Sequence, residues 1–196
     1  MKMSNRSFWL IAPYAVWLAL MMLLPSTAVG YAVRAGAVAL LLLGSALAFV
    51  PFPKVRFIDA MIGLIVGLAV FAIWILPEQF NLAWYQKFCI VGGGGTEAIA
   101  EASGVMIVIR LLGSALVIPA AEEMFFRKWM IGFAGFWWMV VLFAVEHNRY
   151  AVGAIAGVIY GLIYLRRGLF TAILAHSVTN LVLGLWVIRS GQWQFW

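Results

Sequence analysis

The chain has 196 residues, of which 66% are hydrophobic and 10% charged, with a mean hydropathy of +1.04. A soluble domain is about 45–50% apolar and about 25% charged, so this composition excludes an ordinary soluble globule and predicts an all-α, polytopic bundle of transmembrane helices. The net charge of +6 is spread over short connections with no basic stripe interleaved with aromatics, which argues against nucleic acid as a partner.

A helical span needs about 20 apolar residues. The length therefore holds six to eight spans, and the pattern predicts about seven in a single integral-membrane domain, residues 1–196. Cys89 is the only cysteine, which leaves neither an intrachain disulfide nor a cysteine metal cluster. Lys2 and Arg6 precede a long apolar run without a small-residue cleavage site, which reads as a retained first span rather than a signal peptide.

Span one is expected from Phe8 to about Val29, with Pro13 and Pro25 inside it. Membrane helices tolerate prolines when neighbours satisfy the freed backbone groups. Arg34 is expected to mark a turn. Span two follows from Ala35 to Val50 and stops at Pro51-Phe52-Pro53; span three runs from Ile58 to Leu76 and stops at Pro77.

Residues 77–103 read as the longest connection. They hold an aromatic, interfacial stretch (Phe80, Trp84, Tyr85, Phe88), then Gly92-Gly93-Gly94-Gly95, with Glu78, Glu97 and Glu101. Four consecutive glycines have no helix or strand preference.

Span four is expected from Gly104 to about Phe126, span five from Trp129 to about Val145, a short span six from Ala151 to Leu165, and span seven from Leu169 to Ile188. A Trp/Phe-rich tail suited to an interface follows. Gly63/Gly67 and Gly153/Gly157/Gly161 recur at four-residue spacing, which predicts close helix packing.

With the N-terminus inside, Lys2, Arg6, Lys54, Arg56, Arg127, Lys128, Arg166 and Arg167 fall in cytoplasmic loops, against Arg34, Lys87, Arg149 and Arg189 outside. Eight against four favours that orientation.

The stretch Ala120-Ala121-Glu122-Glu123-Met124-Phe125-Phe126-Arg127 breaks the apolar pattern. One ionisable side chain at a bilayer centre costs about 2.5–3.5 kcal/mol on insertion scales. Glu123 and Arg127 stand at i and i+4, the favourable spacing for an ion pair. That pairing leaves Glu122, about 100° round the helix, without a local counter-charge and free for general-base work. The alternative is a helix end solvated at the membrane face.

The two histidines are His147 and His176. His147, beside Glu146, Asn148 and Arg149, also reads as an interfacial residue. His176 lies seven residues into an apolar span, about 10 Å deep, and Asn180 is one turn further on the same face. That pair suits an oxyanion site; its alternative is interhelical hydrogen bonding, worth about 1 kcal/mol or less per contact.

Other intramembrane hydrolases fit poorly. No serine stands in a glycine-rich nucleophile turn, Asp59 is the only aspartate, and His-Glu-x-x-His is absent.

Three elements in order, Glu122-Glu123-x-x-x-Arg127, Phe143-x-x-x-His147 and His176-x-x-x-Asn180, resemble the CPBP family of intramembrane proteases, the CAAX-processing and bacteriocin-processing group. Glu146-His147-Asn148, Thr179-Asn180-Leu181 and the Gly-Gln-Trp-Gln-Phe-Trp tail look like its bacterial branch associated with exosortase and PEP-CTERM sorting. The resemblance implies a glutamate-dependent endopeptidase with its core at about residues 104–188, acting on a membrane-anchored substrate in the bacterial cytoplasmic membrane, with exosortase-system proteins as partners.

Residue by residue, it implies that Glu122 activates water with help from His147, that His176 and Asn180 stabilise the oxyanion, and that Glu123 and Arg127 support the site. No cofactor is expected. The alternative is a zinc site made by Glu122, His147 and His176 with an open water position. A proton-coupled transporter and a non-catalytic scaffold or immunity protein are the other classes that place such residues in a bundle.

The predicted spans pose one conflict. A span starting at Trp129 puts His147 about 27 Å away along the helix, out of reach of Glu122. The expected resolution is that residues 128–135 lie along the interface, with a break at Gly132 or Gly135.

Overall fold

A computed structural model describes residues 5–49, 55–90 and 103–195. Eight helices carry these segments: α1 (Asn5–Leu23), α2 (Ala28–Phe49), α3 (Phe57–Gln79), α4 (Ala83–Cys89), α5 (Gly104–Ala134), α6 (Phe136–Val145), α7 (Tyr150–Arg167) and α8 (Leu169–Ser190). A 3₁₀ turn, Trp193–Phe195, closes the chain. There is no strand among the described residues. Helices α3, α5, α8 and the Ala28–Ala46 part of α2 are long and apolar enough to cross a membrane. The Gly92–Gly95 run, Glu97 and Glu101 lie outside the described residues.

Helix α8 is the hub, packing most extensively on α3 and also on α5 and α7, while α1 and α2 pair and cover the other side of α5. The α3/α8 contact depends on small residues. A Cβ at Gly67 would stand 2.5 Å from the Ala175 carbonyl oxygen and 2.6 Å from Val178 Cβ. Thr179 Oγ1 donates to the Gly67 carbonyl at 2.8 Å, so the two backbones meet at the level of the polar residues. The second glycine stripe seats α6 on α7: Gly153 faces His147, Gly157 faces Phe143 and Gly161 faces Phe136.

Several expected boundaries move. Pro25 is not inside a span; it lies in the break between α1 and α2. Arg34 is no turn residue. It is buried within α2, where the Trp17 ring, 5.5 Å from its guanidinium carbon, supplies a cation–π partner. Pro77 does not end α3, which runs two residues further to Gln79.

The largest revision concerns residues 128–135. They do not lie along an interface: α5 continues through Arg127 and Lys128 to Ala134. The turn falls at Gly135, whose φ of 91° and ψ of 167° form a conformation open essentially to glycine alone. Thirteen residues lead back from Gly135 to Glu122 and twelve lead forward to His147, each about 18–20 Å of helix. The two legs of this hairpin return to a similar depth, which removes the conflict posed by a span starting at Trp129.

Candidate active site

Helix α5 is α-helical at its ends and carries two π-helical segments, Gly113–Val117 and Met124–Met130, on either side of Ile118–Glu123. In the first, the Ile118 amide bonds to the Gly113 carbonyl, five residues back. In that register the next residue would supply the donor for Ser114, but it is Pro119, which has no N–H. The Ser114 carbonyl instead accepts the Asn180 side-chain amide at 2.9 Å. A missing backbone donor on α5 therefore fixes the orientation of a side chain on α8. Asn180 has two amide hydrogens, and this bond uses one.

Glu122 and Glu123 are both buried, Glu123 completely. Glu123 is the junction of the cluster. One carboxylate oxygen meets His176 Nδ1 at 3.0 Å, and the other lies 3.0 Å from Arg127 Nε, an ion pair whose geometry is not that of an aligned hydrogen bond. Arg127 is fully buried, and its guanidinium is enclosed by aromatic faces, with its central carbon 4.1 Å from the Phe143 ring centroid, 5.7 Å from Tyr160 and 5.8 Å from Phe126. Such desolvated cation–π contacts are worth about 2 kcal/mol and explain how a cation sits inside the helix where the sequence suggested a loop.

With Nδ1 held by Glu123, His176 presents Nε2 towards Glu122, 3.8 Å from Oε2. That separation is too long for a direct hydrogen bond and lets one water, placed to the side, contact both. Tyr160 stacks on the His176 ring, with centroids 4.9 Å apart at 20°, and donates its hydroxyl to Thr179 at 2.7 Å. The imidazole is thus fixed by an anion at one nitrogen and by a ring on its face.

His147 lies at the end of α6 with Nδ1 on the Phe143 carbonyl at 2.7 Å. Because that carbonyl is an acceptor, Nδ1 carries the hydrogen and Nε2 is the free lone pair. The Phe143 ring touches both histidines, with centroids 4.6 Å from His147 and 5.9 Å from His176. His147, His176 and Asn180 line one cavity of about 180 Å³.

Each of the six residues named from the sequence lies in this cluster or on the cavity. Sequence reasoning missed four others: Tyr160, Trp74, Pro119 and Phe195. Trp74 packs against His147 at 5.3 Å. Only Pro119 carried a local signal, a proline three residues before a carboxylate pair. Glu146 is also drawn in, with its carboxyl beside the Tyr14 hydroxyl and within the electrostatic reach of Glu122.

No group of three His, Cys, Asp or Glu side chains among the described residues is placed to hold one ion. His147 and His176 each commit Nδ1, to Phe143 or Glu123, and each keeps Nε2, an arrangement that by itself does not disfavour a metal.

Residues 104–182 match the family described as type II CAAX prenyl endopeptidase Rce1-like. No curated protein and no solved structure gives a significant match. The matched segment begins at the first residue of α5 and carries both glutamates, Arg127, both histidines and Asn180, so over residues 104–182 this chain is similar to the Rce1-like CAAX endopeptidases.

Proposed function

We propose that the chain is an intramembrane endopeptidase that uses Glu122 as general base on a membrane-anchored peptide, without a metal. The observation that carries this is the pairing at His176, whose Nδ1 is held by Glu123 at 3.0 Å and whose Nε2 faces Glu122 at 3.8 Å, while the same imidazole lines a cavity with His147 and Asn180. Glu122, Glu123 and Arg127 together carry one excess negative charge, so one proton shared by Glu122 and His176 makes the cluster neutral. Burial favours that neutral state strongly. With the proton on His176, Glu122 is the free carboxylate and Nε2–H is a donor.

Glu122 removes a proton from water as the oxygen attacks the scissile carbonyl carbon, and His147 Nε2 accepts the water's other hydrogen as a hydrogen bond. The developing oxyanion receives Nε2–H of His176 and the second amide hydrogen of Asn180. Glu122 then hands its proton to the departing amine nitrogen as the C–N bond breaks.

The same reading places the chain in the bacterial cytoplasmic membrane, within the branch associated with exosortase, on the strength of Glu146-His147-Asn148 and the Trp/Phe tail. It takes the N-terminus as cytoplasmic and the catalytic core as residues 104–188. With Arg34, Arg127 and Lys128 now inside helices, six basic residues on the proposed inner side stand against Lys87, Arg149 and Arg189. Arg167 contacts Asp59 at 3.6 Å, beside Arg56, which brings two of the proposed inner ends to one face.

The test is cleavage of a membrane-anchored peptide by purified protein in nanodiscs, for wild type and Glu122→Gln, with and without a strong chelator. Activity that survives chelation and disappears in Glu122→Gln supports a glutamate peptidase. Loss on chelation with recovery on zinc transfers the role to a metal.

A further inference from the structure

The cavity at the histidines has a second, apolar half that the chemistry above does not use. Trp74 of α3, Ala156 of α7, Leu183 of α8 and Phe195 of the terminal turn form its wall. Phe195 is buried and anchored from two sides. Its ring lies under the Arg149 guanidinium at 4.3 Å and against Trp186 at 5.4 Å. Arg149 in turn pairs with Glu78 and donates to the Gln194 carbonyl at 2.9 Å. Phe195 is thus built into the wall of the cavity rather than trailing from the bundle.

Resting on the peptidase reading above, we infer that this cavity, with that apolar half as its wall, is a substrate subsite for one bulky, uncharged side chain, aromatic or branched aliphatic, on a residue flanking the scissile bond, and that it is too small to enclose a prenyl chain. Size decides the class. An apolar cavity of about 150 Å³ holds one benzene ring, so about 180 Å³ holds the side chain of Leu, Ile or Phe. By the same measure, the roughly fifteen carbons of a farnesyl group need about 400 Å³. Position agrees with size: the apolar wall meets His147, His176 and Asn180 at its polar edge, so a side chain seated there brings its own backbone carbonyl to the reacting groups. The wall carries no charged side chain among its described residues, which excludes acidic and basic occupants, since a desolvated charge needs a partner.

The experiment has two arms. In the first, wild type, Leu183→Trp and Phe195→Ala in nanodiscs are given internally quenched, membrane-anchored peptides that differ at one position: Gly, Ala, Leu, Phe, Lys or S-farnesyl-Cys. The expected result for wild type is a kcat/KM for Leu or Phe at least tenfold above Gly, with Lys and farnesyl-Cys not cleaved. Leu183→Trp should lose the preference for Phe but still cleave the Ala peptide, and Phe195→Ala should shift the preference towards larger groups. Equal rates across the series, or preference for farnesyl-Cys, would overturn the inference.

The second arm needs no change in the wall. Glu122→Gln protein is irradiated with a peptide carrying photo-leucine at the same position, and the cross-links are mapped by mass spectrometry. Cross-links to Trp74, Leu183 or Phe195 support the subsite, and cross-links confined elsewhere remove it. Cross-links to the wall together with no turnover by wild type keep the subsite and remove the peptidase reading instead.

Discussion

Arg127 is the residue whose replacement tests the buried charge cluster most sharply. Its guanidinium is fully buried, 3.0 Å from Glu123 and enclosed by three aromatic rings. Arg127→Met keeps a long apolar side chain but strands Glu123 with no cation. Breaking a buried pair by removing one partner costs about 3–5 kcal/mol. At about 2–4 °C per kcal/mol for a chain of this size, the melting temperature in detergent should fall by about 6–20 °C. Glu123→Gln/Arg127→Met removes both charges and should recover about 1–3 kcal/mol of that loss; the unrecovered part is the cation–π contribution of about 2 kcal/mol. Activity should stay low in the double variant, because a neutral amide no longer balances a protonated His176. A melting temperature within about 2 °C of wild type for the single variant would mean that the cluster is not desolvated. A double variant no more stable than the single one would mean that packing, not a stranded carboxylate, sets the cost.

Other variants separate positioning from packing. Pro119→Ala restores an N–H that competes with Asn180 for the Ser114 carbonyl; kcat should fall several-fold with the melting temperature unchanged or raised, and an unchanged kcat would refute that link. Asn180→Ala removes an oxyanion donor and should lower kcat by about 10²–10³ with KM little changed; a rise in KM alone would make Asn180 a binding residue. Gly67→Ala puts a methyl group 2.5 Å from the Ala175 carbonyl oxygen, an overpacking worth about 1–3 kcal/mol, and should lower melting temperature and activity together. Gly36→Ala has no atom within 4 Å of the new Cβ and should stabilise by about 0.5–1 kcal/mol; thermal melts of both variants check the contrast.

How far the sequence carries the account depends on the range of the interaction. The Glu123–Arg127 pair was legible because i,i+4 spacing is local, and it persists although the helix there is π-wound. The His176–Asn180 face and the glycine stripes were legible for the same reason. The path of α5 was not. In sequence, Arg127-Lys128 looks like a loop, because the rings of Phe143 and Tyr160 that make burial of Arg127 tolerable arrive from α6 and α7. Arg34 misleads in the same way, since its partner Trp17 belongs to α1. Prolines divide by neighbours as well: Pro25 falls in a break, whereas Pro77, in the last turn of α3, is carried within the helix. The role of Phe195, the last residue but one, depends on Arg149 and Glu78, 46 and 117 positions earlier, and no local pattern announces it.

The division of labour between adjacent carboxylates is the central claim, and one comparison addresses it directly: kcat and melting temperature of Glu122→Gln beside Glu123→Gln on the same peptide. Glu122→Gln should abolish kcat while melting at or above the wild-type temperature, because it removes a buried carboxylate that has no hydrogen-bond partner at Oε2. Glu123→Gln should melt lower, having left Arg127 unpaired, and should retain measurable turnover. Turnover that survives in Glu122→Gln but vanishes in a stably folded Glu123→Gln would contradict the account and make Glu123 the base.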